Sequence, residues 1–189
     1  MQTSKIDLAE LAHLTELFSF FNSGRHLNRL TDAALWYELE LEADQYQLLF
    51  SCLGFDLRID DRGFAWFHDD EVSQNINKQS QQLALLLMVI FDHQADIGRS
   101  LGQFYQWTID KALLDEAHKK HQGLLEAEEL DRGSLVKILE NAAKKGFAIQ
   151  EGNHWRLLPS VYRYLDHFEA ITEQASSSGM ATDGEDESC

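Results

Sequence analysis

The chain has 189 residues, 44% of them hydrophobic, and a formal net charge of −16. That is enough for one ordinary domain or two small ones with a real core. So acidic a surface repels phosphate backbones at long range; it excludes nucleic-acid binding by bulk charge and favours basic partners or plain solubility.

Cys52 sits in an apolar helical pattern and Cys189 ends a polar tail. Two such cysteines make no disulfide framework and point to a reducing compartment. "MQTSKIDLAEL" has one Lys followed by amphipathic spacing, so no secretory signal is read there. The longest apolar run, Leu83 to Phe91, is far short of the roughly 20 residues that span a bilayer. The expectation is a soluble cytoplasmic protein without membrane contact.

In chain order, Ser4 and Asp7 are spaced as a capping box for a first helix. Leu8, Leu11, Leu14, Leu17, Phe18 and Phe21 follow on one face. A second helix is expected to start near Leu27–Thr31 and run through "AALWYELE", and a third to cover "ADQYQLLFSCLG". "FDLRIDDRGFAWFH" then alternates, turns at Asp60-Asp61-Arg62-Gly63 and alternates again, as a β-hairpin does.

Polar "DDEVSQNINKQSQQ" reads as a linker. Leu83–Phe91 is apolar all round, which places that helix between modules or in a subunit contact. "ADIGRSLGQFYQW" gives no assignment. Helices are expected in "TIDKALLDEAHKKHQ" and "ELDRGSLVKILENAAKKG", a second hairpin in "GFAIQEGNHWRLLP", and a last helix in "SVYRYLDHFEAITEQ".

The two hairpin segments share Gly-Phe, an alternating strand, a charged turn and a Trp on the return strand, a weak internal repeat. The organisation expected is mainly α with small β-hairpins, α+β, as tandem winged-helix domains. An N-terminal module spans 1–70, a linker 71–80, a C-terminal module with its closing helix 81–173, and a disordered acidic tail 174–189.

Motifs for chemistry are few. Asp115-Glu116-Ala117-His118 spells a helicase string, but no phosphate loop accompanies it. His118 and His121, with Asp115 one turn earlier, fall short of a ligand set and have Lys119 and Lys120 beside them; no metal is expected. No catalytic fingerprint is present, so neither an enzyme nor a cofactor is expected.

Helices that precede a wing are where such modules read DNA. In the second, Leu135, Ile138, Leu139 and Ala142 form the buried stripe, and Lys137, Asn141 and Lys144 fall opposite, beside Lys145. Arg156 on the return strand and Arg163 in the next helix complete a candidate nucleic-acid-binding set of Lys137, Lys144, Lys145, Arg156 and Arg163. The plainer alternative is a solvated face with lysines at a helix C-terminus. In the first module the matching face holds Asp44, Gln47 and Ser51, and Arg58 and Arg62 are offset by Asp56, Asp60 and Asp61. That module reads as a protein-contact unit.

"KILENAAKKGFAIQEGNHWRLLPSVYRYLDHF" and "GFDLRIDDRGFAWF" resemble the closing segment and first wing of the E subunits of bacterial Muk-like condensins, of the MksE type. The resemblance covers most of residues 6–172. It implies a kleisin-interacting tandem winged-helix protein: a non-catalytic homodimer that binds a kleisin subunit (MksF-like) and, through it, an SMC ATPase (MksB-like) at the nucleoid. Such a complex organises chromosomes or acts against plasmids, with DNA contact inside the complex. The rival reading is a winged-helix transcription regulator.

Overall fold

The computed structural model describes residues 6–68 and 74–179, with side chains apart from those of 74–77 and 174–179. In the first half, α1 (Leu14–Asn22), a two-residue strand β1 (Leu27–Asn28), α2 (Ala33–Leu41) and α3 (Ala43–Cys52) precede a hairpin of β2 (Asp56–Asp60) and β3 (Phe64–His68). The second half follows a similar order, with a 3-10 segment and one more helix added. It runs α4 (Gln74–Asp96), a 3-10 segment at Leu101–Gln106, β4 (Ile109–Asp110), α5 (Lys111–Lys120), α6 (Gln122–Ala127) and α7 (Arg132–Lys145), then a hairpin of β5 (Ala148–Glu151) and β6 (His154–Leu157). The last helix is α8 (Tyr162–Gly179). Each half holds a three-stranded antiparallel sheet, β1-β3-β2 and β4-β6-β5, with the hairpin's returning strand in the middle. The chain is thus a mixture of helices and small antiparallel sheets.

Three aspartates start helices. Asp32 accepts from the Leu35 N–H at 3.1 Å, Asp110 from Leu113 at 2.8 Å and Asp131 from Ser134 at 2.7 Å. Each satisfies an amide that the helix itself leaves without a partner. Two apolar clusters lie above the two sheets. In the first, Phe67 stands with ring centroids 5.1 Å from Phe21, 5.0 Å from Phe50 and 4.9 Å from Phe55. Such pairs add about 0.5–1.5 kcal/mol each beyond area burial. The second cluster is built on α4, α5 and α7, with Trp155 of β6 beneath them.

Local pattern and structure part in several places. Ser4 lies outside the described residues, and the first helix begins only at Leu14. Residues 7–10 turn instead, because Asp7 accepts from the Ala9 N–H and the Asp7 N–H is taken by Gln45. The His13 N–H goes to Glu38 at 2.8 Å, so no helical ladder runs through it. Leu27–Asn28 is strand rather than helix, paired with Ala65–Phe64, and the second helix waits for its Asp32 cap.

The expected linker 71–80 is helical from Gln74 onward, since the long α4, once nucleated downstream, extends through polar residues at little cost. Residues 71–73 lie outside the described set. α8 likewise continues to Gly179, past the expected start of the tail at 174; residues 180–189, with Cys189, are outside the described set.

Leu83–Phe91 is also placed differently. Leu83, Leu86, Leu87, Val89 and Ile90 are buried inside the second half, against α5 and α7. Met88 is exposed. The helix finds its covering within its own half, so its apolar girth calls for no subunit contact. Among the described residues, no helix is long and apolar enough to cross a membrane.

Gly146 ends α7 in the left-handed region, at φ +83°. A Cβ built there would overlap the His26 carbonyl oxygen. Gly146→Ala carries both the left-handed penalty, about 1–2 kcal/mol, and a clash with backbone. The expected result is a drop in unfolding free energy of at least about 2 kcal/mol in urea titrations, larger than for Gly152→Ala in an open turn where a Cβ meets nothing.

Candidate functional site

Where the two halves meet, backbone touches backbone. The His26 N–H donates to the Lys145 carbonyl at 2.9 Å. Asn28 Nδ2 donates to the Gly146 carbonyl at 2.8 Å and to the His26 carbonyl at 3.1 Å. Ser160 Oγ donates to the same Gly146 carbonyl at 2.5 Å, and its N–H reaches Asn28 Oδ1 at 3.4 Å. Lys145 Nζ donates to the Ser23 carbonyl at 2.7 Å. Among the described residues the buried polar ones are His26, Asn28, Gln94 and Ser160; three of these four form this seam.

A stack of rings flanks it. His26 lies 4.3 Å from Phe147 and 6.1 Å from Trp66, centroid to centroid. The Arg163 guanidinium covers Trp66 at 4.6 Å. Further out, Arg62 at the first hairpin's turn reaches α8. It donates to both Asp166 oxygens, at 2.8 and 2.6 Å, while also holding Asp60, and lies over Tyr162 at 4.4 Å.

The electrostatics of the seam fix one tautomer of His26. Nδ1 faces the Lys145 carbonyl at 3.0 Å and must donate; Nε2 faces Arg163 Nη1 at 2.5 Å and must accept. Only the neutral ring does both. Burial first, then the charges of Arg163 and Lys145, push its pKa down from 6.5 to about 3, against the raising effect of the Lys145 carbonyl.

The sequence-derived cations divide between two settings. Lys137 and Lys144 stand exposed on the outer face of α7, with Glu140 and Asn141 exposed among them. Lys145 is exposed but holds the Ser23 carbonyl. Arg156 pairs with Glu151. Arg163 turns into the seam, against Trp66 and His26. The structure therefore places Lys137 and Lys144 on one face of α7, about two turns apart, and sets Lys145 and Arg163 to holding the halves. In the first half, Arg58 pairs with Asp56 at 2.7 Å and Arg62 with Asp60 at 2.7 Å, so each hairpin arginine is matched by a neighbouring acid. Hydrogen bonding from Arg62, against the opposing effect of partial burial, and from Ser134 hold Asp60 and Asp131 below the usual carboxylate range.

His121 and Asp115, read beside His118 as a possible ligand group, have other partners. His121 lies 2.9 Å from Asp92, and Asp115 lies 3.5 Å from Arg132. Among the described residues no group of three or more His, Cys, Asp or Glu is disposed to hold a metal ion. Cys52 ends α3, exposed. Sequence reasoning missed His26, Asn28 and Ser160. Nothing local marks them, because their partners lie more than a hundred residues away for His26 and Asn28.

The described residues thus form two small helix-and-sheet units joined by a polar seam. The chain belongs to the MksE family: the model for condensin complex protein MksE matches residues 12–169. No curated protein matches it.

A folded-state pKa of about 3 against 6.5 in the unfolded chain means the unfolded state binds the extra proton between those values. The stability supplied by neutral His26 is therefore complete above about pH 6.5 and is lost as pH falls through this window. Thermal melts from pH 7 to 5 should show a loss approaching about 1.4 kcal/mol per pH unit from this group. His26→Asn, which cannot titrate, should be less stable at pH 7 and show a flatter slope over the same range.

Proposed function

We propose that the chain is a non-catalytic accessory subunit of an SMC–kleisin condensin. It is a tandem winged-helix protein, with modules at 1–70 and 81–173, that dimerises and binds the kleisin subunit (MksF-like). Through the kleisin it joins the SMC ATPase (MksB-like) at the nucleoid, in chromosome organisation or defence against plasmids. The single observation that carries this reading is membership of the MksE family over residues 12–169. The strand–helix–hairpin order repeated in both halves supports the tandem winged-helix part.

The acidity fits a subunit positioned by its partners: a net charge of −16 does not draw DNA in unaided. DNA contact falls to the outer face of α7, where Lys137 and Lys144 are exposed. Lys145, Arg156 and Arg163 lie nearby in the chain but are engaged with Ser23, Glu151 and the seam. Two to five cations add affinity by counterion release without sufficing alone. The first module, whose hairpin arginines are neutralised, serves protein contact.

Affinity purification with candidate SMC and kleisin proteins tests the reading. Stoichiometric capture of the kleisin, and an SMC retained only when the kleisin is present, is the expected result. No capture by a folded chain sinks it. Light scattering on the purified chain is expected to give twice the monomer mass at micromolar concentration; a clean monomer removes the dimer from the proposal.

A charge-reversal pair tests the DNA surface. Lys137→Glu with Lys144→Glu should weaken binding of duplex DNA by the assembled complex by roughly tenfold or more at low salt, with melting temperature and kleisin capture unchanged. Lys145→Glu should also lower stability, by about 1 kcal/mol, because it removes the bond to the Ser23 carbonyl. Tight, sequence-specific binding by the isolated wild-type chain would instead favour a transcription regulator.

A further inference from the structure

The helix α2 is apolar on both sides. Leu35, Trp36 and Leu39 face the first core and are almost wholly buried, at 3%, 4% and 0% exposure. On the other side Tyr37 is 68% exposed and Leu41 65%, one helical turn apart, and Leu30 just before the helix is 66% exposed. Ala34 is exposed as well, three residues before Tyr37 on the same side, and leaves a shallow floor between larger side chains. Three large apolar residues this exposed, within twelve positions, are more than scattered surface hydrophobics.

Charge selects what could cover them. Between residues 30 and 57 the chain has no Lys or Arg, and Asp32, Glu38, Glu40, Glu42 and Asp44 run through α2 and into α3. Arg29 answers Glu40 at 2.7 Å. Among the described residues, Glu42 and Asp44 have no cation within ion-pair reach, Glu42 taking only the Gln45 amide. A second copy of the chain would bring the same acids to the same face. The segment 180–189 would bring Asp183, Glu185, Asp186 and Glu187. Both are repelled. A segment carrying apolar anchors flanked by Lys or Arg is the occupant whose charge complements the rim, and Tyr37 is an anchor residue of the kind that dominates such contacts.

We infer that the outward face of α2, centred on Tyr37 and Leu41, is a docking surface for a basic amphipathic segment of a partner protein. The inference rests on the reading of the first module as a protein-contact unit and names the chemistry of what that unit takes. The apolar stripe supplies affinity by burial, and the acids at its edge steer the segment and reject acidic ones. The proposed dimer uses another face.

The test uses the full chain and a synthetic fluorescein-labelled helical peptide with Leu at positions four apart flanked by Lys, together with its analogue in which every Lys is Glu. Fluorescence anisotropy at low salt is expected to show the Lys peptide binding at least about tenfold tighter than the Glu peptide. Tyr37→Ser with Leu41→Ser should weaken the Lys peptide by about tenfold or more. Asp44→Lys, which leaves the apolar stripe whole, should weaken it more at low salt than at high salt. Urea midpoints close to wild type would show that these exposed changes leave the fold intact. Equal affinity for the two peptides, or variants that bind as wild type, overturns the assignment. So does a wild-type dimer that the Tyr37/Leu41 pair dissociates, since that gives the face to a second copy. The peptides involve no condensin partner, so failure here removes the docking surface alone, while failure of kleisin capture removes the complex reading.

Discussion

The rest of the structure depends on a close approach of backbone to backbone. The carbonyl of His26 lies against Gly146, where any side chain would collide with it, and the His26 N–H bonds the carbonyl just before. That contact joins the entry of β1 to the end of α7, two points 119 residues apart. Around it sit Asn28 and Ser160, polar yet wholly buried: Asn28 bonds the Gly146 carbonyl and accepts from the Ser160 N–H across the seam, while the Ser160 hydroxyl shares that same Gly146 carbonyl. Buried polar groups that are fully answered favour one arrangement over its neighbours, because a slipped alternative leaves them without partners. The seam sets how one sheet is turned relative to the other, and so where the outer faces of α2 and α7 point.

This constraint reassigns charge. Lys145 and Arg163 look, by residue type, like groups for a phosphate. One holds a carbonyl of the other half, and the other lies on an indole and an imidazole. Arg62 is similar: it sits at a hairpin tip, where a wing would touch nucleic acid, and is clamped between Asp60 and Asp166. The protein spends cations on holding itself together, and its outer surface is left acidic. For a condensin subunit that is a workable balance, because partners can supply the positioning that its own field does not.

The two halves share a similar order of elements but not one style of core. The first is aromatic, with Phe18, Phe21, Phe50, Phe55 and Phe67 in mutual contact. The second is mainly aliphatic around the long α4, with Phe104, Trp107 and Trp155 buried within it. The same topology is thus reached by two packings, as expected when sheet order and helix direction, more than particular side chains, define an architecture.

What the sequence determined by itself was local. Period-two alternation around a charged turn placed both hairpins, and the Leu135-Ile138-Leu139-Ala142 stripe placed α7 with its buried face, since these signals act over a few residues and tertiary packing agrees with them. Helix starts were legible to within a few residues near Asp110 and Asp131, but not at Asp32, where the preceding strand reads as helix, nor at residues 7–13, where distant Glu38 and Gln45 take the amides. The apolar girth of α4 showed that it is buried, but only the tertiary structure decided by what. Tertiary structure also decided which cations face outward and which face the seam. Lys144 and Lys145 are neighbours of one residue type; the helix turns the first to solvent and the second to Ser23, and only the docking of the two halves separates them.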